Sequence, residues 1–530
     1  MLVASAVMCL LCALFLDPLR NYFFGPQRDV PAEFDFTTGK NVLWKSFVGS
    51  TAYGSPVVAD NKVYVGTNNS RGFLARYPSS IDLGVLLCFD TTDGKLLWQA
   101  SSHKYPRRTY DYPGNGIGGT PLIEGDRLWY ITNRSELVCL DTEGFYDKED
   151  DGIAASENLN DRAQEADVVW RLDMIGELGI TPFDSCFNIR KNSLCLSDNT
   201  IYAVTGTSMI EDGFKHRNPQ APSFIAVDKH TGKLLWSDAT PSAHVMNVQN
   251  GTPVCAKLGG ITQVIFPGGD GWLYSFETTG TPDGKGKLLW RFDCNPKDSN
   301  WDLGSKNVRN SLPSAVTIAN DRVYVAMGRW AHDGDGPGRI WCIDPTKRGD
   351  VSPDLVFNQA SPNQPIDNKT PIACDKAAGD FTRPNPESAA IWLYAGEDTN
   401  RNGKRTIEEE MHRTVSRLVI HEDLLFASDA TGIFRCLNAN TGTMHWSYDM
   451  FAVSTSAPVV SESHVFATNE DGQVLVFGLS KNPQIAMPNG NPVHRIHSPS
   501  SIGATPTIDN DVLYILAEHS LYAIAKPRAK

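Results

Sequence analysis

Five segments of this chain close on nearly the same phrase, and no other feature constrains its folding as much. Phe34 to Trp44 reads FDFTTGKNVLW, Phe89 to Trp98 reads FDTTDGKLLW, Val227 to Trp236 reads VDKHTGKLLW and Leu437 to Trp446 reads LNANTGTMHW. A looser copy, FETTGTPDGKGKLLW, runs from Phe276 to Trp290. Each has an apolar residue, a polar turn centred on Gly, and a short apolar run ending in Trp. Recurrence of one unit over roughly 40–70 residues marks a repeat architecture, in which each unit buries its apolar face against its neighbours.

Ahead of the phrase comes an alternating apolar run bounded by turns, as in Ser55 to Val65 (SPVVADNKVYV) and Thr120 to Ile131 (TPLIEGDRLWYI). Period-two alternation rich in Val, Ile, Tyr and Leu, with Asp-Asn or Gly-Asp at the turns, predicts antiparallel hairpins. A further strand follows in each unit: LLCFD, LVCLD, FIAVD, LYSFE, IWCID, FRCLN, VLVFG and LYAIA. With the Trp strand this makes four-stranded antiparallel blades, and the pattern predicts an all-β chain, an eight-bladed β-propeller of about eight such units. The first Trp phrase has no hairpin ahead of it, and the last hairpin, ending in Ser520 to Ala525, has no Trp phrase behind it. An N-terminal strand completing the last blade would close the ring and leave no unpaired edge there. The expected organisation is one propeller domain over 25–530, with loop insertions near 143–166 and 360–412, behind a terminal segment at 1–24.

That segment is apolar from Leu2 to Leu16. The run is short for a membrane span of about 20 residues, and no Lys or Arg precedes it. So apolar a stretch, which the propeller does not need, still suits an export signal or a membrane anchor. It predicts a periplasmic or cell-envelope protein with membrane contact through its N-terminus. The net charge of −13 argues against nucleic acid as a partner. Cys88, Cys139, Cys342 and Cys436 share one position in the strand taken as the inner one, where other units carry Ala, Ser or Val. They read as small buried residues where neighbouring sheets approach near the axis. Cys186, Cys195, Cys255, Cys294 and Cys374 are scattered; a disulfide among them is compatible with the sequence, and spacing does not give its connectivity.

One insertion carries a ligand pattern. Asp398 to Glu409 reads DTNRNGKRTIEE. Against the calcium-loop template, Asp398, Asn400 and Asn402 supply side-chain oxygens at positions one, three and five, and Gly403 supplies the turn at six. Lys404 offers a carbonyl at seven, and Glu409 stands at twelve. Arg405 departs from the template at eight. A calcium site of modest affinity, or a solvated polar turn, fits these residues. The acidic run Asp147 to Asp151 lacks an acidic twelfth residue and reads as a loop. Pro267 to Trp272 (PGGDGW) reads as a tight hairpin turn. His216, His244, His332, His412 and His421 fall in different units without metal-ligand spacing, and no nucleophile elbow or phosphate loop is present.

The phrase D-x-x-T-G-K-x-x-W, at Asp35 and Asp228 and relaxed at Asp90 and Asn438, resembles the tryptophan-docking repeat of pyrroloquinoline-quinone-type (PQQ-like) β-propellers. GPQRDVPAEFD (Gly25 to Asp35), AYGSPVVADNKVYVGTNN (Ala52 to Asn69), APSFIAVDKHTGK (Ala221 to Lys233), VIFPGGDGWLYSFE (Val264 to Glu277) and EDTNRNGKRTIEEEMHRT (Glu397 to Thr414) are similar to such proteins of planctomycete bacteria. The resemblance implies blades locked by Trp and Gly of neighbouring repeats. It supports two functional expectations. The favoured one is a non-catalytic binding or scaffold module for a protein or glycan partner in the cell envelope, similar in outline to the propeller lipoprotein that assists outer-membrane protein assembly. The alternative is a PQQ-dependent quinoprotein dehydrogenase oxidising an alcohol or sugar. That activity implies a clamped quinone, a calcium beside it and a carboxylate base, and the chain has no adjacent cysteine pair of the kind that clamps the quinone in alcohol-oxidising members.

Overall fold

Asp35, Asp228 and Asn438 open the recurring phrase, and each folds the chain back in the same way. The Asp228 carboxylate accepts the amides of His230 at 3.1 Å and Thr231 at 2.9 Å, while the Gly232 amide donates to the Asp228 carbonyl at 2.9 Å. Asp35 accepts Thr37 and Thr38, and Asn438 accepts Asn440 and Thr441. An Asx turn followed by a residue at positive φ explains why the phrase needs Asp or Asn first and Gly later. Gly232 has φ +72° and Gly442 φ +75°.

The computed structural model describes residues 29–107, 111–150, 152, 163–182, 194–207, 218–246, 249–300, 309–329, 336–367 and 372–527. The terminal segment 1–24 and Cys186, His216 and His332 lie outside them. Eight antiparallel sheets follow one another along the described chain, with strands adjacent in the order of sequence. Sheets I to VII span 57–103, 122–173, 195–238, 254–293, 317–394, 419–449 and 459–497. Sheet VIII joins Thr507–Asp509, Val512–Ala517 and Ser520–Ile524 to a fourth strand from the other end of the chain, Val42–Phe47. In that pairing Trp44 stands opposite Ala523 and Lys45 opposite Tyr522. This is an all-β, propeller-like architecture. The two described α-helices, Met174–Leu178 and Pro483–Ala486, are short, and no helix among the described residues is long and apolar enough to cross a membrane.

Apolar clusters join each sheet to its successor. One sets Tyr64, Leu86 and Trp98 of sheet I against Leu128, Tyr130 and Val138 of sheet II. Another sets Val63, Val65 and Leu87 of sheet I against Tyr514, Leu516 and Leu521 of sheet VIII. Because both faces of a sheet are covered, the middle strands are buried throughout, as Lys62–Asn68 is, instead of alternating.

The tryptophans lock neighbouring sheets together. The indole N–H of Trp44 donates to the Thr91 carbonyl at 2.7 Å, Trp98 to Thr142 at 3.0 Å and Trp236 to Thr278 at 3.0 Å. In each case the acceptor immediately follows the acidic residue that opens the next sheet's turn. The glycine of that turn lies flat on the ring: a Cβ on Gly94 would sit 2.6 Å from Trp44 Cε3, and one on Gly232 2.5 Å from Trp170 Cε3. Trp170 and Trp392 dock in the same way, onto Lys229 and Ala439. Their phrases are interrupted by insertions, and the five-copy reading does not include them.

The shared cysteine position needs a different explanation from the one expected. The strands carrying it are third in their sheets, not innermost. Cys88, Cys139, Cys342 and Cys436 stand directly opposite Trp98, Trp170, Trp392 and Trp446, with a β-bulge immediately after each. On the other side they face Tyr64, Trp129, Tyr324 and Phe426. The two large rings lean together over the small residue, 5.8 Å apart for Tyr64 and Trp98 and 6.0 Å apart for Tyr324 and Trp392. A large side chain between them would be overpacked.

The insertions also pair with neighbouring sheets. The stretch expected near 360–412 is divided by the fourth strand of sheet V, Ala390–Tyr394. The described residues of 344–389 therefore belong to the connection between the third and fourth strands of sheet V, and 395–418 connect sheets V and VI. Within the first part, Gly349–Asp350 pairs in parallel with Leu288–Asp293 of sheet IV, and Asp354–Asn358 is the centre of a separate three-stranded sheet. At this seam Trp290 bonds Gln263 Oε1 of its own sheet, at 2.8 Å, in place of a docking turn.

Candidate functional site

The loop 398–409 folds onto its own backbone amides. Asp398 accepts the amides of Asn402 at 3.2 Å and Gly403 at 2.8 Å, one on each carboxylate oxygen. Asn400 Oδ1 accepts the Asn402 amide at 3.0 Å, and Asn402 Oδ1 the Lys404 amide at 2.8 Å. Gly403, at φ +78°, makes the sharp turn expected of it. Glu409 returns to both ends of the loop: Oε1 accepts the Thr399 amide at 2.9 Å and Oε2 the Thr406 amide at 3.0 Å, the second contact being one half of a capping box. The Thr399 hydroxyl, ahead of the Thr406 amide, holds the Glu409 carboxyl below its ordinary range. The four side chains expected as ligands are thus gathered on one closed loop. The side-chain oxygens of Asn400 and Asn402 each accept one amide and keep a second lone pair, whereas Glu409 Oε1 accepts the Thr399 amide and hydroxyl and the Asn400 amide. Arg405, the departure from the template, donates to the Ala395 carbonyl at 2.9 Å, and Lys404 is exposed.

A buried charged network anchors this loop and extends across sheets IV to VI. Arg435, on the third strand of sheet VI, is fully buried; its guanidinium pairs with the equally buried Asp429 and donates to the carbonyls of Glu408 and Glu410. Asp429 also accepts the amides of Thr431 at 3.1 Å and Ile433 at 3.0 Å. Beyond the loop, Arg413 Nε donates to Asn310 Oδ1 at 2.9 Å, and Asn310 is tied to Asn295 by two bonds of 2.7 and 2.8 Å. Asp293 lies between Lys297 at 2.8 Å and Arg309 at 3.2 Å. These groups come from connections between sheets, from turns joining second to third strands, and from the strand ends beside them at Asp293 and Arg435, so they collect at one end of the sheets.

Asp270 belongs to the same network. It sits in the PGGDGW run, which forms the expected turn, Gly271 donating to the Gly268 carbonyl at 3.1 Å. Its carboxyl is completely buried and accepts the Tyr274 hydroxyl at 2.6 Å. Burial pushes it from 3.8 up to about 7, against the opposing hydrogen bond from Tyr274. A carboxyl raised in the folded state contributes stability that is complete below pH 3.8 and is lost as the pH rises through about 7. Asp270→Asn is therefore expected to flatten the decline of Tm between pH 4.5 and 8, removing a cost on the order of a few kcal/mol at the alkaline end. Thermal melts of both proteins across that range check this; parallel profiles would contradict it.

Sequence reasoning singled out none of Asp293, Arg309, Arg413, Asp429 or Arg435. Among the described residues, no three His, Cys, Asp or Glu side chains form a metal-binding group, and His244, His412 and His421 stand in separate connections or sheets. The described part of the acidic run is a loop, in which Asp147 accepts the Glu149 amide at 2.9 Å.

Comparison with known proteins gives fold more than function. The family described as outer membrane protein assembly factor BamB matches residues 398–482, from the start of the calcium-type loop into the connection after the third strand of sheet VII. No curated protein matches the chain. Among solved structures, Sqt1 of Saccharomyces cerevisiae is similar with a TM-score of 0.51 at 8% identity, over 92% of this chain and 99% of that one. BamB from Moraxella catarrhalis gives 0.48 at 12% identity, over 92% and 99% of the two chains. A computationally designed protein, Ika8, gives 0.49 at 11% identity, over 92% and 100%.

Proposed function

We propose that this protein is a non-catalytic PQQ-like β-propeller that serves as a binding or scaffold module for a protein partner in the cell envelope. The observation that carries this reading is the match of residues 398–482 to the outer membrane protein assembly factor family. In this reading the eight sheets close into a single eight-bladed domain over 25–530. Support comes from the pairing of Val42–Phe47 with Ser520–Ile524 and from the apolar cluster between sheets VIII and I. The apolar segment from Leu2 to Leu16 supports export or anchoring. Fractionation of cells producing the full chain is expected to place it in the envelope fraction; recovery only with cytosolic proteins would overturn the location. Purified protein supplied with pyrroloquinoline quinone and calcium is expected to give no dye-linked oxidation of alcohols or aldoses, and steady turnover would replace this reading with the dehydrogenase one.

The loop of Asp398, Asn400, Asn402, Lys404 and Glu409 is proposed as a structural calcium site, supported by the match of its residues to the calcium-loop template and by the closed turn they form around Gly403. Calcium is then expected to raise the Tm by a few degrees, and Asp398→Ala combined with Glu409→Ala to abolish that response. The readout is the calcium-dependent increment, because Glu409 also caps Thr406 and its loss lowers the Tm without metal. An equal increment in both proteins would remove the site from this loop.

A further inference from the structure

We propose that Cys195 and Cys255 are a disulfide-forming pair that staples the first strands of sheets III and IV. The two sulfurs lie 2.9 Å apart across the seam, from residues separated by 60 positions, against about 2.05 Å for a bonded pair. The position of Cys195 in its sheet explains this approach. It opens the strand Cys195–Ser197 and stands opposite Tyr202, as Thr317 stands opposite Tyr324 in sheet V and Thr507 opposite Tyr514 in sheet VIII. Both threonines tie their sheet to the next: Thr317 Oγ1 donates to the Leu418 carbonyl at 2.6 Å, and Thr507 Oγ1 to the Pro56 carbonyl at 2.7 Å. This register position therefore faces the following sheet. In sheet III it carries a thiol, and the group facing it is the thiol of Cys255 on Val254–Leu258.

Both cysteines are buried in the cluster shared by sheets III and IV. Burial also holds the Cys195 thiol far above its ordinary range, so in the folded chain that thiol is a poor nucleophile, and both sulfurs are closed off from an external oxidant. The bond therefore forms during folding, before the seam closes. One cysteine thiolate attacks an external disulfide, of a small molecule or an oxidoreductase, and releases one thiol. The second thiolate attacks the cysteine sulfur of the mixed disulfide and releases the other. Two cysteine S–H bonds become one S–S bond, and the external disulfide is reduced to two thiols. The closed loop contains the remaining three strands of sheet III, so the link restricts the unfolded chain. An oxidant in the cell is available where the envelope location holds, and occupancy there rests on that reading; the pairing does not.

The full chain refolded in reduced and oxidised glutathione, alkylated and digested without reductant, is expected to yield one peptide pair joining Cys195 to Cys255 by mass spectrometry. Reduction is expected to lower its Tm by about 5 °C, and Cys255→Ser to make the Tm insensitive to reductant. Recovery of both cysteines as separate alkylated peptides, or of either one joined to a different cysteine, overturns the proposal whatever the variant does. A bond that forms in glutathione but is missing from protein taken directly from cells leaves the pair intact and overturns the envelope location.

Discussion

A chain beginning at Val48 is expected to show no cooperative thermal transition. The deletion removes the fourth strand of sheet VIII and exposes Ser520–Ile524 as an open edge. Trp44 and Phe34 leave apolar clusters between VIII and I and between VII and VIII, with Val30 and Val42 beside them. Loss of two buried aromatics costs about 3–5 kcal/mol each. With the strand's hydrogen bonds the total is on the order of 10 kcal/mol, comparable with the entire stability of a typical domain. Circular dichroism melts of the truncated and full chains compare the two directly, and adding a peptide of residues 29–47 is expected to restore the transition. A truncated chain melting as the full one does would deny the strand any role in closing the sheets.

Arg435→Met is expected to destabilise by about 3–5 kcal/mol, the usual result of leaving one member of a buried ion pair without its partner. Asp429 would keep its bonds from Thr431 and Ile433 but lose the Arg435 guanidinium that neutralises it, and the carbonyls of Glu408 and Glu410 would lose a donor. The sign of the interaction separates this account from simple loss of packing. Combining Arg435→Met with Asp429→Asn removes the stranded charge, so the double variant is expected to be more stable than Arg435→Met alone. Urea denaturation of the four proteins of the cycle measures this. A single variant costing less than about 1 kcal/mol, within the range of exposed pairs, would contradict a buried anchor for the loop.

The parts of this structure that were legible in the chain are those whose partners lie close in sequence. The Asx residue and the glycine of each phrase close their turn within a few residues, so the repeat announces the turn and the strand; the Trp docks 42 to 47 residues away and was legible because the whole phrase recurs. Trp170 and Trp392 escaped because insertions separate them from the turns of their own repeats; their signal was the short apolar stretch before each, Val168-Val169 and Ala390-Ile391. The shared cysteine position was visible, but its cause was misplaced, since the requirement comes from Trp98 or Trp392 across the sheet and not from proximity to an axis. The ligand-type loop was legible because its donors lie within one short run.

The charged network was not legible for the opposite reason. Arg413 meets Asn310 across 103 residues, and Arg435 reaches Glu410 across 25. A charged residue read alone is assigned to the surface, and only the assembled sheets bring these groups together away from water. The contact between Cys195 and Cys255 is hidden in the same way, because sequence spacing carries no trace of which sheets are neighbours.

Amide hydrogen exchange at Leu521 to Ile524 tests the central claim most directly. These residues form the strand that Val42–Phe47 covers, and in a closed ring of sheets they have a partner on each side. The account predicts protection there equal to that of Ile433–Asn438, the corresponding third strand of sheet VI. Exchange of the outward amides within seconds, as at an exposed sheet edge, would show that the two ends of the chain do not meet.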